Sequence, residues 1–71
     1  MPVTLTIEIE RETDGRWLAE VPELPGVLAY GSTEEAAVIT AEAIALRVLA
    51  DRLEHGGDDT LVSLTFTRTP S

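Results

Sequence analysis

The sequence predicts an α+β domain of order β-β-β-α-β, an antiparallel meander with one helix packed on the sheet and a fourth strand brought back parallel to the first. Three observations carry this. The stretch "VTLTIEIE", residues 3–10, alternates apolar and polar side chains without a break. Two prolines and two glycines crowd into "VPELPGVLAYGST", residues 21–33, between a strand-like stretch and a helix-like one. Residues 33–55 then run as one alanine-rich segment.

The first strand places Val3, Leu5, Ile7 and Ile9 on one side and Thr4, Thr6, Glu8 and Glu10 on the other, as a half-buried strand does. If "RWLAEV" is to set Trp17, Ala19 and Val21 on the same dry side, odd positions must face odd positions across the hairpin, which an even loop forbids. A three-residue loop of Thr13, Asp14 and Gly15, with Gly15 left-handed, meets the condition. It pairs Glu12 with Arg16, Ile9 with Ala19 and Ile7 with Val21. Pro22 removes the donor that would prolong the second strand, and Pro25-Gly26 suits the centre of a type II turn. Val27 to Tyr30 make a short third strand, which Gly31 breaks.

Ser32 or Thr33 caps the helix, Ser32 and Glu35 are spaced as a capping box, and Glu34 and Glu35 sit at the positive end of the dipole. His55-Gly56-Gly57 ends it, with a glycine for a left-handed cap and the imidazole near the negative end. By bulk, Val38, Ile39, Leu46, Leu49 and Leu53 are expected to cover the sheet, leaving Ile44 and Val48 with Ala37, Ala41 and Ala45 on the opposite side. Leu61 to Thr67 alternate again, pointing Val62, Leu64 and Phe66 inward, and the residues after Arg68 are expected to fray.

A chain of 71 residues makes one domain, residues 1–71, and at this size only about 60% of the extended surface is buried. It has no cysteine, so neither a disulfide nor a thiolate metal site can reinforce it, and self-association is the support that remains. Ala37, Ala41, Ile44 and Val48 are therefore expected to form a homo-oligomer interface, dimeric or higher; the exposed edge of the third or fourth strand offers another route. Thirteen acids against five arginines give a net charge of −8, which repels phosphate backbones and attracts basic proteins. Direct DNA binding by this chain alone is not expected. No segment reads as a membrane span or a signal peptide, and a cytoplasmic location is expected.

The run "GRWLAEVPELPGVLAYGSTEEAAVITAEAIALRVLADRLE" resembles the HicB family, antitoxins of HicA/HicB toxin–antitoxin systems. The resemblance rests on Trp17, the "PELPG" turn, Gly31 and the "STEEA" start of an alanine-rich helix, and extends over residues 3–67. It implies a degraded ribonuclease H-like fold and a partner that is a small basic HicA-like toxin, an RNA-cleaving protein neutralised by direct contact. Many members of the family add a C-terminal DNA-binding segment; a short form lacking one is expected here. An orphan homo-oligomeric domain with no toxin is the alternative.

The hairpin register sets Glu8 opposite Glu20 with Glu10 near them on the outward face, and like charges paired across strands destabilise a sheet. Two readings stay open: the solvated outer face of an acidic protein, or a patch prepared for an arginine- or lysine-rich partner, for which Glu8, Glu10 and Glu20 are the binding residues. Glu8 or Glu10 could instead join Glu42 in a magnesium site of a metal-dependent nuclease, but no acid lies between Leu61 and Thr67, so the carboxylate set is incomplete. Neither catalysis nor a cofactor is expected. His55 with Asp58 and Asp59 reads as a helix end and loop, and Trp17 as a core residue.

Overall fold

A computed structural model describes residues 1–56 and 60–70. β1 (Pro2–Arg11), β2 (Trp17–Glu20), β3 (Leu28–Gly31), α1 (Glu34–His55) and β4 (Ser63–Pro70) follow in chain order. The strands form one sheet in the order β3-β2-β1-β4. β1 is antiparallel to β2, β2 to β3, and β1 is parallel to β4, which is the α+β architecture the sequence predicts.

The hairpin parity holds. Glu8 pairs with Glu20 and Ile9 with Ala19, Glu12 donates its N–H to the Arg16 carbonyl at 2.7 Å and Gly15 to the Glu12 carbonyl at 3.0 Å, and Gly15 has φ of 92°. Two residues further along that register Pro22 would stand opposite Thr6. Pro22 has no N–H to give, and the strand stops at Glu20. Glu23 takes over the abandoned ladder position: its carboxylate accepts the Thr6 N–H at 3.0 and 3.1 Å and the Thr6 hydroxyl at 2.7 Å. Two successive turns follow, closed by Leu24 N–H to Val21 O and Val27 N–H to Leu24 O, both 3.0 Å. Gly26 supplies the left-handed angle, φ of 87°, and Val21, Leu24 and Val27 are buried beneath the turns.

These carboxylates make stability depend on pH. Burial pushes the Glu23 carboxyl up, but the Thr6 hydroxyl and N–H together outweigh it and hold it below the ordinary 4.5. The Arg68 hydrogen bond and charge hold Glu35 below the same value of 4.5. Both groups bind protons less readily folded than unfolded, so their stabilisation is complete above the unfolded value and is lost as pH falls through it and lower. The melting temperature should therefore fall between about pH 5 and pH 3, and more steeply for the natural chain than for Glu23→Gln. Parallel acid slopes in thermal melts of the two proteins would remove Glu23 from this account. Relief of self-repulsion acts on both proteins and differs little between them, the natural chain carrying −8 and the variant one negative charge fewer.

β3 includes Gly31, which pairs with Trp17 rather than breaking the strand. Its missing side chain serves packing: a Cβ there would lie 2.5 Å from the Ala37 nitrogen and 3.0 Å from Ala36. Thr33 caps the helix, accepting the Ala36 N–H at 3.1 Å. The expected Ser32–Glu35 box is not what forms; Glu35 instead receives a bidentate contact from Arg68 of β4. At the other end Gly56 donates its N–H to the Arg52 carbonyl at 2.6 Å with a right-handed φ of −102°, so the cap at Gly56 is not the left-handed one. Gly57 lies outside the described residues.

The helix is turned only in part from the expectation: Val38 and Leu49 face the sheet as expected, but Ile39, Leu46 and Leu53 do not. Ala37, Val38, Ala41 and Ala45 are fully buried against the sheet, with Ile44, Val48 and Leu49 packed beside them. Ile39, Leu46 and Leu53 are 60%, 47% and 43% exposed. The self-association surface assigned to Ala37, Ala41, Ile44 and Val48 is thus the inside of the monomer: where the helix comes closest to β3, near Gly31, only small side chains such as Ala37 and Ala41 fit, and the larger Ile44, Val48 and Leu49 pack beside them. α1 lies over β3, β2 and part of β1, and its backbone stays clear of β4. β4 itself starts later and runs further than expected: Val62 precedes it and is 75% exposed, whereas Thr69 and Pro70 still pair with Glu8 and Ile9. Leu64 and Phe66 do face the core, half-buried.

Candidate binding surface

With α1 on one side of the sheet, no element among the described residues covers the other. Register fixes what that outer face displays. One row reads Thr69, Glu8, Glu20, Leu28 from β4 to β3, and the next Glu10, Leu18, Tyr30. Side chains directly opposite on one face stand about 5 Å apart at the β-carbon, so Glu8 and Glu20 meet as a like-charge pair with Glu10 two residues along β1. Glu10 and Glu20 are exposed and Glu8 half-buried. The structure therefore brings the three acids onto one surface, as the alternation required.

Composition alone did not reveal that the acids share the face with apolar groups. Leu28 and Tyr30 are 42% and 46% exposed, and Leu18 is half-buried between Glu10 and Tyr30. The signal was present in the parity, since a strand that turns Ala19 inward must turn Leu18 outward with Glu20. Arg16 stacks over the Tyr30 ring at 4.4 Å while its Nε donates to Asp14 Oδ2 at 2.8 Å. The one basic group at this end of the face is thereby already engaged. The backbone N–H of Arg16, with its side chain, holds the Asp14 carboxyl below its ordinary value.

The other candidate constellations are not assembled. Glu42 rides on α1, on the opposite side of the sheet from Glu8 and Glu10, and with Glu35 and Glu34 it contributes to the negative field that raises the Arg68 pKa. Among the described residues no three acidic or histidine side chains are gathered closely enough to hold a metal ion. His55 Nδ1 lies 3.2 Å from Asp51 Oδ1 and 3.1 Å from the Asp51 carbonyl, a contact within the helix; Asp58 and Asp59 lie outside the described residues. Trp17 packs against the core with Arg11 5.8 Å from its ring. Among the described residues no helix is long and apolar enough to cross a membrane.

Fold and face together define a small α+β module with an open sheet. No family model matches the chain, and no curated protein or solved structure matches it.

Proposed function

We propose that the protein is a non-catalytic binding module whose outer sheet face docks a basic protein, in the manner of an antitoxin that neutralises a small RNA-cleaving toxin by covering it. The observation that carries this reading is the Glu8–Glu20 pair, two carboxylates opposed across neighbouring strands on a face no helix covers. Such a pair weakens its own sheet by about 0.2–1 kcal/mol. A cationic partner relieves that repulsion on arrival, and Leu18, Leu28 and Tyr30 beside the acids give it apolar area to bury.

The signature that separates a docking face from a merely solvated one is opposite movement of stability and affinity. The double variant Glu8→Gln/Glu20→Gln should melt slightly higher than the natural chain and bind its basic partner at least tenfold more weakly, about 1.4 kcal/mol. Binding should also weaken steeply with salt. The partner should be a basic protein that cleaves RNA alone and stops when the chain is added in equal amount. A partner held equally well by the double variant would exclude this face, and RNA cleavage unaffected by the chain would exclude neutralisation.

A further inference from the structure

The inward stripe of α1 outruns the strands it covers. Ala37, Ala41, Ala45 and Val48 face the sheet at intervals of three and four residues, and the next position in that series is Arg52. β2 ends at Glu20 and β3 begins at Leu28, so the first half of β1 runs on past both, and a groove of about 680 Å³ separates it from the end of α1. Leu5 and Leu24 lie buried at its base, with Val3, Leu49, Leu53 and Leu61 along its sides. Arg52 is the one basic side chain lining it among the described residues. Asp14 holds Arg16 and Glu35 holds Arg68, whereas Arg52 has no ion pair with any described acid. Glu23 borders the groove as well, but both its carboxylate oxygens accept from Thr6. An unpaired cation thus lines the space beneath the helix of a chain whose net charge is −8.

We propose that the groove binds a small aliphatic carboxylate, its chain laid along the leucines and its head on the Arg52 guanidinium. Volume and lining suit a small molecule: ligand clefts run from about 300 to about 1,000 Å³, mostly apolar, with few polar groups to fix orientation. No aromatic ring lines this one among the described residues, so a flexible chain matches the walls better than a stacked planar ligand. Arginine suits the head, because its planar fork donates two parallel hydrogen bonds to a carboxylate. Net charge then limits the anion. One arginine balances one negative charge, and a chain at −8 repels the second charge of a phosphate monoester. A cationic head would meet Arg52 as a like charge. The groove lies on the helix side of the sheet, so the site is separate from the acidic outer face and does not rest on the reading of that face.

The test uses the full chain alone. Titration with decanoate, followed through the amide resonances by NMR, should shift Val3, Leu5, Leu24 and Leu53 together and saturate with a Kd below about 1 mM. Octanoate, two methylenes shorter, should bind about tenfold more weakly. Arg52→Gln should weaken decanoate binding about fivefold while keeping the helical circular dichroism. Arg47 is exposed and outside the groove, so Arg47→Gln, the same change of charge, should leave binding as it is. Decyltrimethylammonium and decyl phosphate should both bind less well than decanoate. Resonances that stay still, or that move away from the groove, would overturn the site. Equal affinity in Arg52→Gln, or an equal loss in Arg47→Gln, would overturn the anchoring of the head by Arg52, and tighter binding of the cationic or the phosphate amphiphile would overturn the ligand class.

Discussion

Ala41→Leu should cost the monomer about 2–3 kcal/mol in urea unfolding, near the upper end of core overpacking, while Leu46→Ala should cost less than about 1 kcal/mol. The contrast runs against residue size and follows from placement. Ala41 is fully buried, one turn from Ala37 and one from Ala45, which are buried too, whereas Leu46 is 47% exposed. Three extra carbons at Ala41 have nowhere to go unless the helix lifts from the sheet and surrenders its contact with β2 and β3. A 71-residue chain has roughly 4–10 kcal/mol of stability in all, by the per-residue rule, so the leucine variant loses a large share of it. Melts at sub-micromolar concentration keep any association out of the comparison. If the two substitutions exchanged their effects, the helix orientation described above would be wrong.

Gly31→Ala should be comparably damaging, about 2 kcal/mol or more, although glycine to alanine within a strand ordinarily stabilises. The new Cβ would lie 2.5 Å from the Ala37 nitrogen, a backbone atom that no rotamer change can move. Trimming Ala36 to glycine removes only the 3.0 Å side-chain neighbour, so the second substitution should recover little. Denaturant midpoints of the two variants decide this. An unchanged midpoint for Gly31→Ala would mean that helix and strand are further apart than the structure places them.

These two sites also explain what the sequence made legible and what it hid. The hairpin could be read because its constraint is arithmetic: alternation in β1 and β2 plus an odd loop leaves one register, and Glu8 against Glu20 follows. The reversal at Pro25-Gly26 could be read because a hydrogen-bonded turn there needs a left-handed residue. The helix face could not be read from hydropathy, since Ile39, Leu46 and Leu53 outweigh Ala37, Ala41 and Ala45 on any apolar scale. Available volume decided instead, and the clue was Gly31, a residue without a side chain at the point where strand and helix approach. The role of Glu23 was equally hidden, because a side chain standing in for a missing strand leaves no periodic mark.

The parallel pairing of β4 has a consequence for the order in which the chain gains and loses structure. Pro2 meets Ser63 only once the helix has carried the polypeptide back past its starting point, so this pairing closes nearly the longest loop the molecule can make, whereas the hairpin and the double turn close over a few residues. β4 contributes only Leu64 and Phe66 to the hydrophobic interior, each half-buried, and the helix backbone does not pack on it. Entropy opposes its arrival, and its eight-residue ladder to β1 rather than interior area retains it. The last strand is therefore expected to dock late in an otherwise locally assembled molecule, held to β1 along its whole length and to the helix chiefly by the grip of Arg68 on Glu35.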